Sequence, residues 1–232
     1  MHTIKKFIWK WTPLAAIFPY GVVFLYQCLG YFITQLFVNN QVKYDFTMEF
    51  DRQVPIIPVF VYIYLVCYAF WIINEIICGN VSKNHFYKVL TTLIICNTIS
   101  TLIFILMPTT IIRPEIEITS ITTWVLNFVY QMDKPVNLFP SLHCLVSWLC
   151  YIAVRKQKVF SLGYRAFSLV FAILICISTQ VIKQHYIVDL ISGILLAELI
   201  WWIVNKTRCY KPVMKLFEKI NKNLNIKWKE TP

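Results

Sequence analysis

S-T-Q-V-I-K-Q-H-Y-I-V-D-L, Ser178 to Leu190, separates two long apolar runs in the C-terminal half of the chain. Ionisable groups between such runs are expensive to hold at the level of a bilayer and usually serve a function. Read as a continuous helix, the stretch puts His185 and Asp189 four residues apart on one face. The carboxylate then accepts a hydrogen bond from one ring nitrogen and leaves the other free for chemistry. The same two residues could instead satisfy each other at a membrane-water boundary with no further role, so the rest of the chain must decide.

The flanking runs are typical of the whole. Of 232 residues 58% are hydrophobic and only 14% charged, more apolar surface than one soluble core absorbs. Runs of about 20 residues match the hydrocarbon thickness of a bilayer, so the class is an all-α polytopic membrane protein. The net charge of +11 is confined to alternate loops and the tail, a pattern of segments beside anionic lipid rather than of a nucleic-acid surface. The eight cysteines lie in or beside apolar runs without C-x-x-C spacing and read as packing residues, not disulfides or metal ligands.

Working outward, six helices are expected. The basic, aromatic start Met1 to Trp11 suits an interface anchor, and a first helix spans about 13–38. It begins like a signal peptide, but no small-residue cleavage site precedes Asn39, so it is read as retained. The polar stretch 39–52 alternates apolar and polar residues, as a short strand or helix would. A second helix covers about 54–78, with Asn74 and Glu75 read as interfacial or as making a bundle-facing hydrogen bond, and a third about 86–107. Pro108 and Pro114 then stiffen a long connection carrying its own amphipathic helix, about 119–131. Pro140 suits the first turn of a short fourth helix reaching Val154, and the fifth and sixth cover about 160–182 and 186–204. The domain reading is a single membrane unit over 1–205, with its functional core at 107–190, and a basic amphipathic tail over 206–232 on the inner leaflet.

Of 22 Lys and Arg residues, only Lys43, Arg52, Arg113, Lys134 and Lys183 fall on the side opposite the N-terminus in this six-helix bundle. Both termini are therefore expected in the cytoplasm. His2 and His85 fall on the cytoplasmic side, away from the motifs that follow.

Three motifs share the outer side: Arg113-Pro114, Pro140-Ser141-Leu142-His143, and Ser178 to Asp189. Together they resemble the signatures K-x6-R-P, P-S-x-H and S-R-x5-H-x3-D of the type 2 phosphatidic acid phosphatase superfamily, whose membrane members have six helices. The second is complete and the third keeps its spacing. Two cations are missing: Leu106 stands at the lysine position and Thr179 at the arginine position. The H-Y-x-V-D-L ending and the absent arginine are more similar to the branch containing the inositol phosphorylceramide and sphingomyelin synthases.

The resemblance implies a metal-independent, cofactor-free lipid phosphatase or phosphotransferase acting on a membrane lipid phosphate. Its expected setting is a bacterial cytoplasmic membrane, with the active site facing outward. Chemistry supports the same roles. A neutral imidazole attacks an anionic phosphoester more readily than an anion does, so His185 is the expected nucleophile, oriented by Asp189, giving a phosphohistidine. His143 then protonates the leaving oxygen and later activates water or an acceptor hydroxyl. Arg113 is the expected guanidinium clamp on phosphate oxygens. Ser141 and the amides of its helix start would cradle them, and Ser178 joins by the resemblance. Lys183, four residues after Thr179, could return a cation to the phosphate site, or could simply snorkel to water.

Hydrolysis is the first expectation because water needs no second binding site. Transfer of a phospho-headgroup to a lipid alcohol is its rival. A transporter or scaffold without turnover is the rival of another class, against which stands the joint presence of His143, His185 and Asp189. A zinc site on those three residues would lack an accompanying H-E-x-x-H or cysteine cluster.

Overall fold

The computed structural model describes residues 14–38 and 41–228. The N-terminal anchor with His2, the pair Asn39-Asn40 and the last four residues lie outside them. Helix α1 (Leu14–Phe37) leads to strand β1 (Tyr44–Asp45) and helix α2 (Glu49–Gln53), so the alternating stretch is both strand and helix. A 3-10 turn, Pro58–Phe60, opens α3 (Val61–Ile77), and α4 is Lys83–Leu106. Strand β2 (Thr109–Thr110) and the amphipathic α5 (Ile121–Met132) make up the long connection. Then come α6 (Leu142–Val154), α7 (Leu162–Val181), α8 (Ile187–Lys206) and α9 (Tyr210–Asn223).

Among the described residues, five helical stretches are long and apolar enough to cross a membrane: Ala15–Phe37, Pro58–Asn80, Lys83–Leu106, Leu162–Val181 and Ile187–Lys206. Their outward faces carry exposed Leu25, Phe32, Val66, Leu102, Val170 and Leu199, side chains that hydrocarbon solvates and water would not. The protein is an all-α integral membrane protein. Helix α6 differs in length and placement. Its 13 residues rise only about 20 Å, short of a ~30 Å hydrocarbon layer. It is apolar on nearly every side and packs against α3, α4, α7 and α8 at the centre of the bundle, as an all-round apolar helix must.

At the end of the bundle where α6 begins, the connections knit together. β1 pairs with β2 in parallel, and Thr110 bridges to Val136. Asp51 accepts from the Ile187 amide at 2.8 Å through one oxygen and from the Met48 amide at 2.8 Å through the other. A carboxylate thus sits at the positive start of α8 while also capping α2. At the opposite end Arg155 clasps Glu198 through both guanidinium nitrogens, 2.5 and 2.8 Å, tying α6 to α8.

Asn74 and Glu75 are both buried in the bundle, and Asn74 makes the bundle-facing bond, accepting from the Tyr164 hydroxyl at 3.0 Å. α9 also packs against the bundle. Phe217 and Asn221 are buried, Asn221 donates to the Ala15 carbonyl at 3.0 Å, and Glu218 pairs with Lys83 at 2.9 Å.

Candidate active site

The turn between α7 and α8 carries His185. Helix α7 closes with the paired bonds of a Schellman motif: the Lys183 amide donates to the Gln180 carbonyl at 3.1 Å and the Gln184 amide to the Thr179 carbonyl at 2.9 Å. The residue after the cap is left-handed, and here it is Lys183 with φ 52°, a place usually given to glycine. Its side chain helps to hold it, since Nζ donates to the carbonyls of Asp51 at 2.6 Å and Val54 at 2.5 Å. The His185 amide also reaches the Thr179 carbonyl, at 3.1 Å. The histidine is therefore strapped to the end of α7, and α8 starts two residues later.

The pairing of His185 with Asp189 forms across this boundary rather than along one helix. Asp189, in the first turn of α8, accepts from the Tyr186 amide at 2.9 Å and from His185 Nδ1 at 3.4 Å through the same oxygen. Both side chains are buried, and the second Asp189 oxygen has no partner. Burial pushes the His185 ring toward its neutral form, but the Asp189 hydrogen bond and charge outweigh it, and the pKa rises above its ordinary value.

Helix α6 brings the second histidine. It begins one residue later than Pro140 suggested: Ser141 is the N-cap, its Oγ accepting from the Cys144 amide at 3.3 Å. The Ser141 amide donates to the Asp189 carbonyl at 3.1 Å. This contact requires Gly193, where an added Cβ would lie 2.6 Å from the Ser141 carbonyl oxygen. With the starts of α6 and α8 locked so closely, the rings of His143 and His185 stand 5.8 Å apart, centroid to centroid.

His143 is gripped by one face of α3. Tyr64 stacks on its ring at 4.3 Å, the Tyr68 hydroxyl is 3.2 Å from Nε2, and Trp71 leans on it at 5.4 Å. Tyr64 also donates to Asp133 at 2.8 Å, and Tyr31 of α1 donates to the other oxygen of that carboxylate. Tyr64, Tyr68 and Trp71 follow helical spacing, but in an aromatic-rich span that pattern reads equally as lipid-facing bulk. Asp133, in D-K-P, reads as an ordinary loop charge. Neither carried a signal toward the site.

Two cavities meet at His185. One, of about 210 Å³, is mainly apolar and holds both histidines with Tyr31, Phe32, Tyr68 and Asp133 in its walls. The other, of about 520 Å³, is bordered by Arg52, Arg113, Gln180 and Lys183. Arg113 stands at their junction with its fork already engaged. One nitrogen donates to the carbonyls of Tyr130 at 3.1 Å and Asp133 at 2.5 Å, and the other donates to Gln184 Oε1. Only its buried Nε lacks a partner.

The structure thus assembles His143, His185, Asp189, Ser141 and Arg113. It does not bring Ser178 to either cavity: that hydroxyl is buried and donates to the Ile175 carbonyl of its own helix at 2.7 Å. Lys183 cannot mirror Thr179 along a helix, because α7 ends at Val181; it borders the larger cavity with its ammonium already on two carbonyls. Among the described residues, no three His, Cys, Asp or Glu side chains converge as a metal ion would require.

The fold and the site define a membrane-helix bundle with an imidazole pair lining one cavity and a carboxylate behind one ring. The sequence matches the PAP2 superfamily over residues 46–203, and the chain belongs to that superfamily, whose members are phosphatases or phosphotransferases. It is similar to an uncharacterized protein of Methanocaldococcus jannaschii, 37% identical over 76 residues, which is 33% of this chain and 30% of that one. The chain thus spans less than a third of that relative's length in the matched region. No solved structure matches the chain.

Proposed function

We propose that the chain hydrolyses a lipid phosphomonoester or pyrophosphate through a phosphohistidine on His185. The observation that carries this reading is the facing pair of rings at 5.8 Å over one cavity, with a carboxylate behind only one of them. Asp189 accepts the hydrogen bond of Nδ1–H, which keeps the proton on that nitrogen and leaves the Nε2 lone pair of His185 for in-line attack on phosphorus. His143 donates a proton to the departing lipid oxygen and takes one from the water that attacks the phosphohistidine. Of the first-turn amides of α6, Cys144 is taken by the Ser141 cap, and those of Leu142 and His143, which have no carbonyl partner within the helix, are the donors a phosphoryl oxygen would find. Arg113, with its fork engaged, supplies positive charge at the cavity junction more than a free bidentate clamp.

The reading includes a six-helix arrangement in which α6 is the short span, both termini are cytoplasmic and the histidines act at the outer face of a bacterial cytoplasmic membrane. The crowding of Lys and Arg on the N-terminal side supports it. A second reading is transfer of a phospho-headgroup to a lipid alcohol, favoured by the larger cavity beside His185, which has room for an acceptor or headgroup that water would not need. Purified wild type and His185→Ala, given labelled phosphatidic acid, phosphatidylglycerol phosphate and polyprenyl pyrophosphate, decide between these. Free phosphate from wild type alone is the expected result. Label only in a new lipid would establish transfer, and turnover persisting in His185→Ala would end the mechanism.

A further inference from the structure

His143 has no carboxylate on its ring. Its Nε2, the nitrogen farthest from the backbone and the natural one to meet a substrate, is 3.2 Å from the Tyr68 hydroxyl. Tyr64 covers one face of the ring and Trp71 leans on another side. Tyr68 is placed differently. It borders the same apolar cavity as His143 and is 40% exposed at the bundle surface, where His143 is half-buried. A lipid whose tail lay in that cavity would present its ester oxygen to the tyrosine hydroxyl before it reached the imidazole.

We infer that Tyr68 is a catalytic residue, the group through which His143 hands its proton to the leaving lipid oxygen. The inference rests on reading His185 as the nucleophile. As the bond from His185 Nε2 to phosphorus forms, the bond from phosphorus to the lipid oxygen breaks. That oxygen takes the hydroxyl proton of Tyr68, and the tyrosine oxygen takes the Nε2 proton of His143. The step ends with a lipid alcohol, an intact tyrosine, a neutral His143 and a phosphohistidine, so no proton or electron is unaccounted for. A tyrosine acid is weak alone, but a cationic imidazole refilling it in the same step removes the need for a free phenolate. In the second half-reaction the relay runs backward and draws a proton from water.

Three charged or titratable groups lie near His143. Asp133 shares its cavity and accepts from Tyr31 and Tyr64, giving a protonated His143 a nearby negative charge. His185, 5.8 Å away, is committed to Asp189. Arg113 is engaged with the Asp133 carbonyl and Gln184.

The test uses the full-length protein in detergent-lipid micelles, with the fastest lipid of the panel above and p-nitrophenyl phosphate, whose leaving phenolate needs no proton. Tyr68→Phe is expected to lower kcat on the lipid about 100-fold, the lower end of what general acids contribute, with KM and thermal midpoint unchanged. On p-nitrophenyl phosphate it should change the pre-steady-state burst of p-nitrophenolate, which reports phosphorylation of His185 alone, by less than about threefold, while steady-state turnover falls because water attack uses the same relay. His143→Gln should follow the same split, with the double variant no slower than His143→Gln. Equal losses in the lipid rate and in the burst, multiplying losses in the double variant, or a lipid rate within threefold of wild type would each overturn the relay. His185→Ala separates the two levels: if it is inactive and cannot be phosphorylated while Tyr68→Phe is unimpaired, only the relay fails. If His185→Ala still turns over, or wild type acts on no lipid, the nucleophile reading fails and takes the relay with it.

Discussion

His185 and His143 are the same side chain in two different settings. His185 sits on a turn fixed by backbone hydrogen bonds to Thr179, with a buried carboxylate behind Nδ1 and a cavity on either side. His143 sits in a helix, stacked on Tyr64, with a tyrosine hydroxyl at Nε2, the ring nitrogen that His185 leaves free. A carboxylate fixes a tautomer and stabilises positive charge, which suits a nucleophile that becomes a phosphoryl imidazolium. A phenol shares a proton without pinning it, which suits a group that must release and recover one in each turnover. The division of roles between two histidines is written in their partners rather than in their rings.

The comparison breaks most simply by removing each ring. His185→Ala should reduce turnover on every substrate by about 10,000-fold or more, the scale seen when a nucleophile is lost, and should trap no phosphate on the protein. His143→Gln should be milder and selective, about 1,000-fold on a lipid phosphate and far less on the p-nitrophenolate burst from an activated aryl phosphate. Equal defects in both variants on both substrates would erase the distinction.

A further change disturbs both settings at once. Gly193→Ala introduces a Cβ that the present packing would hold 2.6 Å from the Ser141 carbonyl oxygen and 3.3 Å from the Leu145 amide nitrogen. Both are backbone atoms and cannot rotate away, so α8 must withdraw from α6 and carry Asp189 with it. Overpacking of this kind costs about 1–3 kcal/mol, read as a lowered thermal midpoint, with activity down by about the 100-fold that a 1 Å misplacement brings.

Acidity tests the His185 side alone. Attack needs the unprotonated ring, whose pKa is held above its ordinary value of 6.5 by Asp189, so kcat/KM should fall with acid through a midpoint above 6.5. In Asp189→Asn the raising influence is gone and burial remains, so that midpoint should move to lower pH while the plateau rate also drops. A midpoint that moves up, or does not move, would mean Asp189 does not act on the ring.

Much of this site was legible along the chain because its parts are local. The apolar runs marked most of the helices to within a few residues, though the second begins at Val61 rather than about 54, after Pro55 and the 3-10 turn at Pro58. P-S-L-H and H-Y-I-V-D placed His143, His185 and Asp189. What was not legible depends on where a helix stops and what lies across from it. The 3.6-residue pattern was carried past Val181 because no glycine marks the turn, and the left-handed residue is a lysine held by carbonyls some 130 residues earlier in the chain. Ser178 and Thr179 look like site residues in line, but both hydroxyls fold back onto helix carbonyls. Tyr31, Tyr64 and Asp133 meet only because α1, α3 and the 133–141 segment converge, and no spacing within one segment announces that.

The smallest effect concerns α1, which lies outside the residues matched to the superfamily yet supplies Phe24, Gln27, Cys28, Tyr31 and Phe32 to the wall of the apolar cavity. Tyr31 touches neither histidine; its hydroxyl donates to Asp133, which also takes the Tyr64 hydroxyl. Tyr31→Phe removes one donor to a carboxylate that keeps another, a loss of about 1.5–3 kcal/mol if the group were left bare and less with Tyr64 in place. The ring stays, so the cavity keeps its shape. The expected result is a several-fold rise in KM for the lipid, with kcat and p-nitrophenyl phosphate turnover unchanged, because the change affects the wall that meets the tail and not the proton path. A fall in kcat comparable with that of Tyr68→Phe would instead show that Asp133 acts on His143 through its tyrosines. The contrast between a histidine with a carboxylate and one without would then have to be redrawn as two carboxylates at different distances.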